Sequence, residues 1–233
     1  RIPQVMPPPS NAGPAEQAGV GARGGESSAS GGVRVGKLAP LTTTSFFPAK
    51  PLGCFGDGGA LFTGDADMAE KLRSIRGHGT GKAKYDIVRI GMNARLDTLQ
   101  AAVLLVKLAV LDDERNKREA LGRYYDSRLS NRVATPARPA GYQSAWAQYT
   151  IKLDRRDTVQ AALAKSGIPT QIYYPRPMHL QPAYATYGGG EGSLPVSENL
   201  SRRVLSLPMH PYMPEEVAAQ ICDAVCAAVS AGD

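Results

Sequence analysis

An α/β fold is predicted for this chain by three observations. Short runs rich in Thr, Phe, Val, Ile or Tyr alternate with longer runs whose apolar residues recur at helical spacing. Turns bearing glycine or proline separate the two kinds of run. The 233 residues are 42% apolar and 21% charged, enough for one large or two small domains with a real core.

Residues 1–31 differ from the rest. They contain no aromatic residue, are dominated by Pro, Gly, Ala and Ser, and show no period of 2 or 3.6, so their composition predicts disorder. Order is expected to begin near "VRVGKLAPLTTTSFF". Residues 41–47 predict a strand, residues 56–59 a glycine turn, and "ALFTG" a second strand. In "DADMAEKLRSIRGHG" acids come first and Gly77 follows Arg76, which are the start and stop signals of a helix. A loop rich in glycine and basic residues runs over 77–92. Leu96, Leu99, Val103, Val106, Val110, Leu121 and Tyr125 then recur at helical spacing, predicting one long amphipathic helix, or two with a kink, with a charged outer face. Asn93 stands where an N-cap for that helix would fall.

Beyond it, residues 145–153 alternate as a strand does, and 157–167 read as a capped helix ending in glycine. "IPTQIYYP" reads as a strand, residues 188–192 as a glycine-rich loop, and "SENLSRRVLSLPMHP" as a helix and a short strand. A last helix follows, with Pro214 near its first turn. This alternation predicts a small C-terminal α/β domain over 129–233, after a first domain over 32–128. No internal repeat is present.

The net charge is +6, but the basic residues are scattered and interleaved with acids, as in "DDERNKRE", which argues against nucleic acid and fits a mildly basic surface or an anionic small molecule. The three cysteines, Cys54, Cys222 and Cys226, are too few for a disulfide framework, and the last two lie one helical turn apart on the expected buried face of the final helix, without further metal ligands. No apolar run is long enough to cross a membrane and no signal-peptide core is seen, so a reduced, cytoplasmic protein is expected.

The stretch "SFFPAKPLGCFGDGGALFTGD" carries the chemistry. Pro48 and Pro51 frame Lys50, Ser45 ends the strand before it, and the glycine turn after it lets backbone approach closely. A lysine held in one place can act as a nucleophile toward a carbonyl, and a hydroxyl beside it can bind a phosphate. An exposed loop lysine has no need of such a frame. "RGHGTGK" is superficially like a phosphate-binding loop, but its glycine spacing is wrong and Lys82 is followed by Ala, so nucleotide hydrolysis is excluded; His78 within it reads as a loop residue and His210 as packed structure.

"TTSFFPAKPLGCFGDGGALFT" closely resembles the pyridoxal-phosphate lysine motif of the DegT/DnrJ/StrS family of sugar-nucleotide aminotransferases. "RSIRGHG", "GMNARLDTLQAAVLLVKL", "IYYPRPMHLQPAY" and "VLSLPMHPYM" are similar to four further blocks in that family's order, and the resemblance covers residues 32 to about 229. It is strongest toward the branch that aminates a UDP-linked 3-keto sugar. The resemblance implies the fold type I, aspartate aminotransferase-like architecture, with an incomplete large domain and a small C-terminal domain. It further implies pyridoxal 5'-phosphate as cofactor, a nucleotide-linked keto sugar and an amino-acid donor such as glutamate as substrates, and a homodimer with shared sites.

Under it, Lys50 would hold the cofactor and move the proton, and Ser45 would bind its phosphate. Asn93 would reach the phosphate in the other subunit, Arg95 would contact the nucleotide diphosphate, and His179 and Tyr184 would face the substrate. Members that act as dehydratases carry histidine in place of the lysine, so Lys50 argues against that alternative. The family's acid that pairs with the cofactor ring is expected near Gly21, and residues 1–31 hold no aspartate; their composition fits an out-of-frame reading of a GC-rich gene. A truncated remnant that only dimerises is therefore the competing expectation.

Overall fold

The computed structural model describes residues 4–6, 34–83 and 85–231. The chain divides into two compact units, residues 1–112 and 113–233. The division falls in the first turn of a long helix (Leu111–Leu129), whereas the sequence suggested 128/129, and that helix buries Arg118, Gly122, Tyr125 and Leu129.

The first unit holds a three-stranded sheet. Strand β3 (Gly59–Thr63) lies between β1 (Gln4–Met6), which is parallel to it, and β2 (Leu41–Ser45), which is antiparallel to it. Successive side chains of β3 serve opposite faces. Ala60 and Phe62 pack with Phe46, Cys54 and Leu104, while Leu61 packs with Ala69 and Leu72 of helix α1 (Ala66–Arg76). Asp65 caps that helix by accepting the Met68 N–H at 3.0 Å, and the Gly77 N–H closes it on the Ser74 carbonyl. These are the stop and start signals that the sequence displayed. Strand β1 is a correction, since residues 1–31 predicted no element. The three residues stand between Pro3 and Pro7 in the sequence, and the residue preceding a proline is biased toward extended backbone, which suits pairing to the β3 edge.

The predicted long helix is two, α2 (Thr98–Leu108) and α3 (Leu111–Leu129). Helix α2 begins after Asp97, so Asn93 is not its N-cap. The side of α2 that meets the rest of its unit carries Gln100, Leu104 and Lys107, spaced four and three apart. Leu99 and Val106, read from the sequence as part of a periodic apolar stripe, are 80% and 74% exposed.

In the second unit β4 (Tyr149–Lys152) pairs antiparallel with β5 (Val204–Leu207), and α3, α4 (Arg156–Lys165), α5 (Pro195–Arg203) and α6 (Glu215–Ser230) complete it. Its core joins Tyr125 and Leu129 of α3, Tyr149 and Ile151 of β4, Leu205 and Leu207 of β5, and Ile221, Cys222 and Val225 of α6. Two sequence-predicted strands are cut short. Trp146 has a left-handed φ of 47°, which no extended strand tolerates, so the ladder starts only at Tyr149. Its ring is still buried, its Nε1–H donates to Glu119 Oε2 at 2.6 Å, and the Arg138 guanidinium lies 4.6 Å from its centre. Residues 168–175 make only a single bridge, Gln171 to Ser206, because Pro169 and Pro175 bracket the run and lack ladder donors. Among the described residues no helix is long and apolar enough to cross a membrane.

Ile151 is fully buried at the centre of the second core. Ile151→Ala is expected to cost about 2–5 kcal/mol of that unit's stability. The check is a lowered urea midpoint followed by fluorescence of Trp146, the chain's single tryptophan.

Candidate active site

Lys50 sits in the connection between β2 and β3. The ladder of the two strands continues one step beyond Ser45, where the Phe46 N–H bonds to the Gly58 carbonyl at 2.8 Å. The Phe46 carbonyl then accepts both the Cys54 N–H at 2.8 Å and the Cys54 thiol at 3.0 Å, and the thiol also lies 3.0 Å from the Gly56 carbonyl. These bonds cinch the base of the loop, and residues 47–50 are exposed at its rim. The Lys50 N–H closes a turn on the Phe47 carbonyl at 2.8 Å. Two glycines make the cinch possible. A Cβ at Gly53 would stand 2.7 Å from the Pro48 carbonyl oxygen, and one at Gly58 would stand 2.9 Å from the Cys54 thiol.

Helix α2 braces the same loop from outside. Gln100 accepts the Phe55 N–H at 2.8 Å, and the Lys107 ammonium donates to the Gly53 carbonyl at 2.7 Å while lying 5.2 Å from the Phe55 ring centre. The lysine amine of Lys50 is thus presented to solvent on a backbone fixed at both ends, and no carboxylate pairs with it among the described residues. The Ser45 hydroxyl, at the end of β2, accepts the Phe47 N–H at 3.2 Å and keeps its proton for another acceptor.

Asn93 and Arg95 belong to a second segment of the first unit. Residues 92–94 are laced to the end of α1: the Met92 N–H bonds to the Ile75 carbonyl at 2.8 Å, the Ala94 N–H to the Arg76 carbonyl at 2.9 Å, and Gly77 bridges Asn93. Arg95 Nη2 approaches Asn93 Oδ1 at 3.4 Å. Leu96, next along, packs with Phe46 and Cys54, so this segment and the lysine loop share one small apolar cluster.

His179 and Tyr184 lie in the second unit, on two consecutive single-turn helices, Met178–Leu180 and Pro182–Tyr184. Tyr184 is 44% exposed. The His179 ring is nearly buried and its Nε2 lies 2.9 Å from Glu198 Oε1. The Glu198 carboxylate also accepts the Gly192 N–H at 2.9 Å and the Leu194 N–H at 3.2 Å, tying the glycine-rich loop to the first turn of α5. The His179 bond and then the Gly192 amide hold the Glu198 carboxyl below the usual carboxylate range. Sequence reading missed Glu198, Gln100 and Lys107. The only advance signal was their spacing, Glu198 in the first turn of a helix and Gln100, Leu104 and Lys107 along one helical face.

The family profile of the DegT/DnrJ/EryC1/StrS aminotransferases matches residues 21–226, so the matched span begins ahead of Gly32, inside the segment whose composition looked foreign. The chain is 43% identical over 195 residues to the UDP-2-acetamido-2-deoxy-3-oxo-D-glucuronate aminotransferase of Pseudomonas aeruginosa, covering 83% of this chain and 53% of the relative. It is 42% identical over 196 residues to the dTDP-3-amino-3,4,6-trideoxy-alpha-D-glucose transaminase of Streptomyces venezuelae, covering 83% and 52%. Among solved structures, a DegT/DnrJ/EryC1/StrS aminotransferase from Brucella abortus shares 54% identity and superposes with a TM-score of 0.77 over 80% of this chain and 50% of that one. The chain spans about half the length of the curated relatives it matches.

Two outcomes are expected from this geometry. Lys107→Met removes a charged donor from the Gly53 carbonyl and is expected to cost about 1–2 kcal/mol, read as faster amide exchange in residues 46–58. Glu198 stabilises its loop fully above the ordinary carboxylate pKa of about 4.3 and loses that contribution as pH falls through its depressed folded value. Amide protection at Gly192 and Leu194 should therefore collapse on acidification below that range, and Glu198→Gln should lower it already at neutral pH.

Proposed function

The chain belongs to the DegT/DnrJ/EryC1/StrS aminotransferase family, and from that premise we propose that it carries the lysine-bearing half of an enzyme that aminates a nucleotide-linked 3-keto sugar. The family has the fold type I architecture and works with pyridoxal 5'-phosphate. The observation that carries the proposal is Lys50, exposed on a loop whose backbone is locked from two sides.

The donor set suits the cofactor, with an amine for its aldehyde on Lys50 and a hydroxyl for its phosphate on Ser45. When bound, pyridoxal phosphate supplies an electron sink for the carbon that loses its proton. The chain's own groups do the rest. Lys50 Nζ would hold the cofactor aldehyde and is the group that would move a proton at the reacting carbon, from a loop whose backbone is fixed. The Ser45 hydroxyl donates to a phosphate oxygen, and Asn93 supplies a further donor from the second subunit of a homodimer. Arg95 takes the nucleotide diphosphate, and His179 and Tyr184 face the sugar, with His179 held in place by Glu198.

The two relatives described above bear uridine and thymidine names, one with a 3-oxo and one with a 3-amino group, and carbon 3 in common supports the 3-keto position over any choice of base. Glutamate as amino donor, a place in surface-polysaccharide or related amino-sugar biosynthesis, and a cytoplasmic setting complete the proposal. Lys50, where the dehydratase branch carries histidine, disfavours that alternative.

The test is the visible spectrum of the purified chain with added pyridoxal phosphate, beside Lys50→Ala. A new absorption band that borohydride fixes to Lys50 is the expected result, with at least a tenfold loss of bound cofactor in Lys50→Ala. No Lys50-dependent band would mean a remnant that cannot hold the cofactor.

A further inference from the structure

Glu198 is almost wholly enclosed, with 6% of its side chain exposed, and its carboxylate acts only as an acceptor. Oε1 lies 2.9 Å from His179 Nε2, both oxygens take the Gly192 N–H at 2.9 Å, and Oε1 takes the Leu194 N–H at 3.2 Å. The His179 bond first, then the Gly192 amide, keep this carboxyl ionised. An ionised carboxylate has no proton to give, so the proton between the two side chains belongs to the imidazole. The neutral ring then carries it on Nε2 and keeps a lone pair on Nδ1. Only 9% of the His179 side chain is exposed, yet Nδ1 is neither enclosed nor bonded to any group among the described residues. The ring cannot turn to offer its other nitrogen without breaking the Glu198 bond. Its backbone is equally confined. A Cβ at Gly188 would stand 2.6 Å from the His179 carbonyl oxygen, and the Gly188 N–H bonds to the Tyr184 carbonyl at 3.1 Å, so His179 and Tyr184 sit in one closed stretch of chain.

We propose that Glu198 is a positioning residue that sets the tautomer of His179, so that Nδ1 is presented as a hydrogen-bond acceptor for a hydroxyl of the sugar. This deepens the function above and rests on its reading that His179 faces the sugar. A polarity is added to that role. The ring asks for a donor, which a hydroxyl supplies and a keto oxygen does not. His179 therefore reads a hydroxyl, not the carbon at which the amino group enters. The same carboxylate holds the amides of Gly192 and Leu194, so the glycine-rich loop and the ring are set by one group.

The test is nitrogen NMR of the purified chain labelled at its three histidines, with the His179 signals assigned by their loss in His179→Asn. At about pH 8.5, above the ordinary histidine range, the expected result is a protonated Nε2 and a bare Nδ1. Adding UDP-N-acetylglucosamine should shift Nδ1, and adding UDP alone should not. In Glu198→Gln the one amide oxygen is claimed by the loop amides and the NH2 turns to Nε2, so the tautomer should reverse. The preference for UDP-N-acetylglucosamine over UDP, measured by calorimetry, should then fall roughly tenfold. Circular dichroism checks that the variant is folded; if it is not, the tautomer of the parent chain decides the Glu198 role. His179→Asn, which keeps a polar group near the place of Nδ1, and His179→Phe, which does not, then decide the hydroxyl role, with the sugar preference partly kept in the first and lost in the second. A proton on Nδ1 in the parent chain, an unchanged tautomer in folded Glu198→Gln, or an Nδ1 signal that UDP-N-acetylglucosamine leaves unmoved overturns the proposal. The expected tautomer and sugar-dependent shift without a Lys50-dependent band would uphold it while refuting the cofactor reading.

Discussion

Two hydrogen bonds converge on the carbonyl oxygen of Phe46, one from the Cys54 amide and one from the Cys54 thiol. They force the chain between residues 46 and 54 to double back over a short span. Phe46 and Cys54 are both buried, so the bonds form away from water, where an unmade one would be costly. Pro48, Lys50 and Pro51 are left at the rim, and neither proline asks for an amide partner that the rim lacks. The position of Lys50 is thus decided by backbone and a buried thiol, not by contacts of its own side chain. Gly53 and Gly58 follow from the same lock, since its closeness leaves no room for a Cβ at either position.

Charge is distributed according to the same division of labour. Around the second core, Glu119 and Asp126 gather Arg138, Trp146 and Tyr149 into one polar network at the edge of the packed rings. Burial raises the Glu119 pKa, but the Trp146 and Arg138 bonds together outweigh it and hold the carboxyl below its usual range. Arg118, buried in α3, spends its donors on the Trp146 and Met209 carbonyls. Arg138 is held by two carboxylates, whereas Arg118 keeps its Nε buried without a partner.

Local signals were legible in the sequence, and signals that need a partner across space were not. Asp65 and Gly77 announced both ends of α1, and the Thr-rich run announced β2, because capping and strand propensity act over a few residues. Lys50 stood out through its proline frame. Glu198 and Lys107 did not, since their bonds run to backbone groups that only the folded chain brings near: Lys107 reaches Gly53 across 54 positions. The strand predicted from residue 145 failed at Trp146, where anchoring of the indole to Glu119 overrides the alternation of the run. Asn93 failed as a helix cap for a related reason: its backbone is already engaged with Gly77.

Helix α2 reverses the usual arrangement of a surface helix. Gln100 and Lys107 point their polar ends inward because the lysine loop offers an N–H and a carbonyl that α2 alone satisfies from that side. The consequence is that its remaining apolar residues have nowhere to go within the unit, and Leu99, Leu105, Val106 and Leu108 are each more than half exposed. Exposed apolar surface of this extent marks a site of contact with another surface. The homodimer proposed above would supply such a surface, and it is the arrangement under which Asn93 would serve a neighbouring site. Bracing the lysine and exposing an apolar helix face are therefore one choice, made where α2 turned its amide and ammonium toward the loop.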